Sequence, residues 1–147
     1  MMKSVYYFLL SIIITLYLSS CAGGAKNNNI IVGKPILVTT ATGLQYYDLI
    51  IGTGAVPKKG TTVKINYISK LDNGQEIENT YKDDKPLSFQ FGDSWLIKGI
   101  EEGLSSMKTG GKRRLIIPPE LGYGDRRIGK IPPNSKLIYE VELVEVK

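Results

Sequence analysis

Two places in this 147-residue sequence hold side chains for which local structure offers no reason. Tyr123 stands between two glycines in Glu120-Leu121-Gly122-Tyr123-Gly124, a loop setting where a bulky phenol is free to bind something and serves no strand face. Cys21 is the only cysteine, and it closes an uncharged apolar run at Leu18-Ser19-Ser20, a setting suited to covalent modification of a thiol. The remaining inventory narrows the chemistry by omission. With no histidine, neither a Ser-His-Asp nor a Cys-His nucleophile can be assembled. One cysteine, no gathered carboxylate spacing and no EF-hand loop leave no expected metal site. Gly52-Thr53-Gly54 lacks the third glycine and the βαβ setting of a dinucleotide site and reads as a tight turn, while Gly110-Gly111-Lys112 lacks the upstream glycine of a P-loop. No cofactor is therefore expected. The net charge of +5 is modest, and apart from Lys112-Arg113-Arg114 and Arg126-Arg127 the cations are scattered. That pattern reads as solvated surface, with no nucleic acid as partner.

The elements that must position these residues are mostly strands. From Gly43 onward, short alternating apolar runs are bounded by Gly, Pro, Asn and Asp. Strands are predicted over Leu44 to Ile50, Thr62 to Lys70, Glu76 to Asn79, Leu87 to Phe91, Lys112 to Ile117 and Lys136 to Val146, with Asp72-Asn73-Gly74 as a hairpin turn. The last strand is the clearest: Leu137, Tyr139, Val141 and Leu143 share one face and Glu140 and Glu142 the other, so one face is buried. Ile100, Leu104 and Met107 recur at helical spacing between Asp93 and Thr109, with Gly110 placed to end the helix. One short helix against mostly antiparallel strands is an α+β fold.

At the N-terminus, Lys3 precedes an uncharged and largely apolar run from Ser4 to Ser20, the pattern of a signal peptide. Leu18-Ser19-Ser20-Cys21 resembles a bacterial lipobox, in which the cysteine is acylated and the chain is cut before it. The expected organisation is a lipoprotein signal peptide over 1–20, an acylated Cys21 with a flexible linker over 21–42, in which Ala22 to Asn29 is small and polar, and one domain over 43–147. Acyl chains contribute about 0.8 kcal/mol per buried methylene, so a multiply acylated Cys21 holds the protein on a membrane. The expected location is the cell envelope, at the outer membrane or periplasmic face of a double-membraned bacterium.

Three segments carry a resemblance that covers nearly all of the domain. They are Gly99-Ile100-Glu101-Glu102-Gly103-Leu104 with Met107, Leu115-Ile116-Ile117-Pro118-Pro119 through Tyr123-Gly124, and Ile131-Pro132-Pro133-Asn134 with Leu137 to Leu143. In order and spacing they resemble the FKBP-type peptidyl-prolyl isomerases. The resemblance implies an antiparallel half-barrel of five to six strands wrapped around one short helix, with an apolar hollow that receives a proline ring. It implies catalytic places for Tyr123, Ile97, Tyr67 and Glu78, the Ile97 N–H and the Tyr123 hydroxyl being donors to substrate carbonyls. Substrate-binding places fall to Ile77, Phe89, Leu96, Ile100, Ile131 and Tyr139. Ile77 stands where the family mostly has Phe, Glu78 where it has Asp, and Ile100 where Trp is common. Read without the family, Tyr67, Phe89 and Tyr139 are core residues of alternating strands.

The function expected on this basis is acceleration of X-Pro isomerisation in proteins folding outside the cytoplasm, with proline-containing polypeptides as partners and Cys21 as the membrane contact. A proline-segment binding module or chaperone with little turnover is the alternative on the same fold, and a tethered scaffold domain is a third.

Overall fold

The computed structural model describes residues 30–31 and 33–147. Cys21, the expected signal segment and the polar stretch of 22–29 lie outside the described residues. Within them the chain forms one antiparallel sheet and one α-helix. The strands are β1 (Ile30–Ile31), β2 (Val38–Thr39), β3 (Gln45–Ile51), β4 (Thr62–Leu71), β5 (Glu76–Asn79), β6 (Leu87–Gln90), β7 (Lys112–Ile117) and β8 (Leu137–Val146). The helix is α1 (Lys98–Ser105), and a 3-10 turn spans Pro119–Leu121. The sheet runs β1-β3-β7-β8-β4-β5, with β2 also bonded to β3 and β6 to β4.

All six expected strands are present, within a residue or so at each end. The sheet is wider than the expected five to six strands because β1 and β2, two residues each, add to β3 inside the stretch assigned to a linker. Extended backbone beside an open strand edge gains ladder hydrogen bonds without needing any side-chain pattern, so nothing in the composition announces it. The expected hairpin at Asp72 to Gly74 closes with the Leu71 N–H donating to the Gln75 carbonyl at 2.9 Å, and Gly74 takes the φ of +88° the turn needs.

The core lies between the concave face of the sheet and α1. Alternation does the sorting: Val63, Ile65, Tyr67, Ser69 and Leu71 of β4 point inward, as do Leu137, Tyr139, Val141 and Leu143 of β8. An eight-residue helix is marginal by itself and depends on its packing. Here Gly99 and Gly103 let α1 rest directly on β7. A Cβ at Gly99 would sit 2.5 Å from Ile117 Cγ2, and one at Gly103 2.6 Å from Leu115 Cδ2.

Two local expectations are corrected. Gly110 does not end the helix, which stops at Ser105; Met107 follows it outside the helix yet stays buried. Gly110 instead occupies the third position of a turn closed by the Gly111 N–H to the Lys108 carbonyl, with φ of +86°. Nor is Gly52-Thr53-Gly54 a tight turn. Its backbone lies against the 108–111 turn so closely that a Cβ on Gly52 would come within 2.2 Å of the Lys108 carbonyl oxygen, and the Gly54 N–H donates to Thr109. The glycines serve a close approach of two backbones, which sequence spacing cannot distinguish from a turn.

The solvated reading of Lys112-Arg113-Arg114 also fails at its middle residue. Arg113 takes an inward position of β7 and is 4% exposed. Its Nε and Nη2 donate to the two Asp48 carboxylate oxygens on β3 at 2.7 and 3.1 Å, and its Nη1 donates to the Gly103 carbonyl and the Ser106 hydroxyl, both at 2.8 Å. The guanidinium also covers the Tyr46 ring at 4.0 Å. It thus ties the C-terminal end of α1 to two strands. Its neighbours behave as surface residues: Arg114 pairs with Glu140 and Tyr47, and Lys112 with Glu142.

Candidate functional site

At the other end of α1 the concave face carries aromatic side chains in place of aliphatic ones. Tyr67 on β4 and Tyr139 on β8 are diagonal neighbours across the strand pair, their ring centroids 5.6 Å apart and tilted by 38°. Phe89 on β6 lies opposite Val63 and is buried with them. Ile100, on the buried face of α1, and Ile131, after the loop that follows Tyr123, belong to the same apolar cluster. Ile77, Leu96, Ile97 and Tyr123 are half-buried and pack against it. The fold therefore gathers around one cluster every apolar and aromatic residue expected in the hollow.

Glu78 joins them by a device the sequence does not announce. Between the pairs Ser69 with Glu78 and Lys70 with Glu76, Ile77 is the extra residue of a β-bulge. A regular strand would send Ile77 and Glu78 to opposite faces, but a bulge re-aims its side chains. Ile77 packs on the core while the exposed Glu78 places its carboxylate near enough to the Tyr67 hydroxyl to act on it electrostatically.

The electrostatics follow from burial. Desolvation first, then the Glu78 carboxylate, pushes the Tyr67 phenol well above the ordinary tyrosine range. Tyr139 is raised chiefly by burial and further by the nearby Tyr123. Both stay protonated across the physiological range, so these two buried phenols keep neutral O–H groups within the apolar cluster. Backbone donors are also at hand. Ile97 is the extended residue before α1 (φ −60°, ψ 143°), and its carbonyl accepts from Ile100 and Glu101. Among the described residues its N–H donates to no acceptor of the chain.

Tyr123 is held in its loop by backbone bonds on both sides. The Gly124 N–H donates to the Pro119 carbonyl at 2.9 Å, and the Asn134 N–H to the Gly124 carbonyl at 2.7 Å. Gly124 has φ of +61°, which a side chain would oppose. One feature was not picked out from sequence: Trp95, two residues before Ile97, is 66% exposed. It is the only tryptophan, and that single indole in the loop leading into α1 was the available signal.

Two concavities are lined by none of these aromatic residues. One of about 80 Å³ is lined by Asp48, Gly52, Met107 and Arg113 among others, and one of about 390 Å³ by Thr53, Thr109, Glu142 and Val144 among others. Neither combines aromatic walls with unpartnered donors. Among the described residues no three metal-ligating side chains come together, and no helix is long and apolar enough to cross a membrane.

Comparison with known proteins bears directly on this geometry. The model of a family described as FKBP-type peptidyl-prolyl cis-trans isomerase matches residues 54–144. FKBP-type peptidyl-prolyl cis-trans isomerase FkpA of Escherichia coli (strain K12) is 46% identical over 109 residues, covering 74% of this chain and 40% of that protein. FK506-binding protein 4 of Dictyostelium discoideum is 47% identical over 111 residues, covering 74% of this chain and 29% of its own. The chain thus spans well under half the length of these relatives. Among solved structures, the crystal structure of AtFKBP13 superposes with a TM-score of 0.72 at 39% identity, covering 76% of this chain and 99% of that one. Escherichia coli FkpA gives 0.71 at 45%, covering 76% and 51%.

Proposed function

The chain belongs to the FKBP-type peptidyl-prolyl cis-trans isomerase family, and we propose that it accelerates cis-trans isomerisation of X-Pro bonds in polypeptides that fold outside the cytoplasm. The observation that carries this reading is the juxtaposition of a buried aromatic and aliphatic cluster, the neutral hydroxyls of Tyr67 and Tyr139, the half-buried Tyr123 ring, and the unpartnered Ile97 N–H.

The chemistry requires no base, nucleophile or metal. Rotation about a peptide bond costs about 18–20 kcal/mol because it breaks amide resonance. A twisted amide carries less charge on its oxygen, so a dry pocket disfavours the planar, well-solvated form more than the twisted one. Phe89, Ile100, Ile131 and Tyr139 supply the dry surface. The Ile97 N–H and the Tyr123 hydroxyl hold flanking carbonyls and leave the prolyl bond as the part that turns. Tyr67, beside Glu78, closes the wall. An acceleration of about 10⁵ needs only about 7 kcal/mol of differential stabilisation.

The envelope setting rests on Cys21 and the run before it. The fold is compatible with a tether there: β1 and β2 lie against β3, at one end of the sheet, whereas Tyr67, Ile77 and Phe89 lie on β4, β5 and β6 toward the other.

A protease-coupled prolyl-peptide assay decides the activity. The expected result is a rate that rises linearly with protein concentration. Suppressed aggregation of a folding client without faster isomerisation would instead establish a binding module. Metabolic labelling with a fatty acid decides the anchor: Cys21→Ala should abolish incorporation, and equal labelling of variant and parent would end the lipoprotein reading.

A further inference from the structure

The loop from Gly124 to Lys130 joins two members of the hollow, Tyr123 and Ile131. It is short and pinned at both ends. The Arg126 N–H donates to the Tyr123 carbonyl at 3.3 Å, and Ile128 and Ile131 exchange backbone bonds of 3.1 and 2.8 Å around a Gly129 with φ of +53°. The loop's side chains are accordingly presented at a defined edge of the hollow. Arg126, Arg127 and Lys130 are all exposed, and Asp125 is the only acidic residue among them.

Of the fourteen other described Lys and Arg residues, five are ion-paired and nine, like the three on this loop, are not. Lys82, Lys112, Arg113, Arg114 and Lys147 each lie within ion-pair distance of a carboxylate. Among the described residues, none of the three loop cations does. By chain position the acidic side chains around the hollow fall on other segments: Glu78 on β5, Asp83 and Asp84 between β5 and β6, and Asp93 after β6. The loop beside Tyr123 and Ile131 therefore carries three cations against the single carboxylate of Asp125, a net charge of +2.

We propose that Arg126, Arg127 and Lys130 select the substrate, favouring prolyl segments that carry Asp or Glu within a few residues of the proline. The inference rests on the reading that the hollow receives proline. The cations are exposed, so each contact is weak and screened, with a Debye length of about 8 Å at physiological salt. Three acting together on one flanking segment give an expected preference of about three- to tenfold, mainly through association.

The test uses three peptides around one Ala-Pro core, flanked on both sides by Glu, Gln or Lys, with dissociation constants from fluorescence anisotropy and kcat/KM from the isomerase assay. The Glu peptide should bind about three- to tenfold more tightly than the Gln peptide, and the Lys peptide more weakly than either. The Glu preference should vanish in about 1 M salt. In Arg126→Ser/Arg127→Ser/Lys130→Ser it should also vanish, while binding and turnover of the Gln peptide stay unchanged. Equal affinity for the Glu and Gln peptides would overturn the proposal. So would equally tight binding of a proline-free polyanion such as single-stranded DNA, which would make the loop a general anion patch. Failure to turn over any peptide would sink the isomerase reading alone, because anisotropy reads the charge preference without turnover.

Discussion

The two ends of helix α1 handle polar groups in opposite ways. At its C-terminal end, Arg113 is buried with each guanidinium nitrogen bonded, to both Asp48 oxygens, the Gly103 carbonyl and the Ser106 hydroxyl, and with its plane over the Tyr46 ring. At its N-terminal end, the Ile97 N–H finds no acceptor in the described chain, and it lies beside the apolar cluster against which Tyr123 and Ile97 are half-buried. Burying a polar group is costly unless it is partnered, so complete satisfaction marks a structural joint. Incomplete satisfaction beside apolar walls marks a place built to receive a partner. The distinction separates architecture from function here more sharply than burial does, since both regions are largely buried.

The sharpest way to break this comparison is to empty the joint. Arg113→Ala leaves Asp48 and the Gly103 carbonyl without their donor, and breaking a buried charge pair of this kind costs about 3–5 kcal/mol. Because the Asp48 side chain keeps 30% exposure, the loss should fall at the low end, about 3 kcal/mol in denaturant unfolding. Turnover per folded molecule should stay within about twofold. A variant that melts normally but loses activity would place Arg113 in the site.

Alkali should act on the buried tyrosines. A tyrosine whose pKa is raised on folding contributes stability that is whole below its unfolded value near 10 and is lost as pH climbs beyond it. Stability should therefore decline above about pH 10. Tyr67→Phe should flatten part of that decline. Tyr81, whose hydroxyl donates to Glu142 and whose pKa is also raised, adds a share from outside the hollow. An identical alkaline slope in Tyr67→Phe and parent would remove Tyr67 from this account.

The smallest effect on stability should come with a clear effect on rate. Tyr123→Phe removes one hydroxyl, a hydrogen bond worth about 0.5–1.5 kcal/mol, so turnover should fall from a few-fold to about tenfold while the melting curve moves little. Lost stability with unchanged kcat/KM would return the hydroxyl to the core.

Much of this architecture is legible in residue order. Strand alternation in β4 and β8, the Asn73-Gly74 turn and the absence of histidine all follow from period, turn chemistry and inventory. These are local properties, and a strand's period survives whatever it packs against. The loop placement of Tyr123 marked it as exceptional on the same local ground. What the sequence by itself determined is thus the α+β class, the element order and the kind of chemistry open to the chain. Tertiary structure alone decided that Arg113 turns inward while Lys112 and Arg114 turn out, because an inward arginine is stable only if Asp48, Gly103 and Ser106 converge on it from 65, 10 and 7 residues away. It also decided that Gly52 serves a backbone crossing instead of a turn, and that a bulge at Ile77 brings Glu78 to Tyr67. In each case the decisive partner is distant in sequence, and its hydrogen bonds and contacts exist only once the chain has closed on itself.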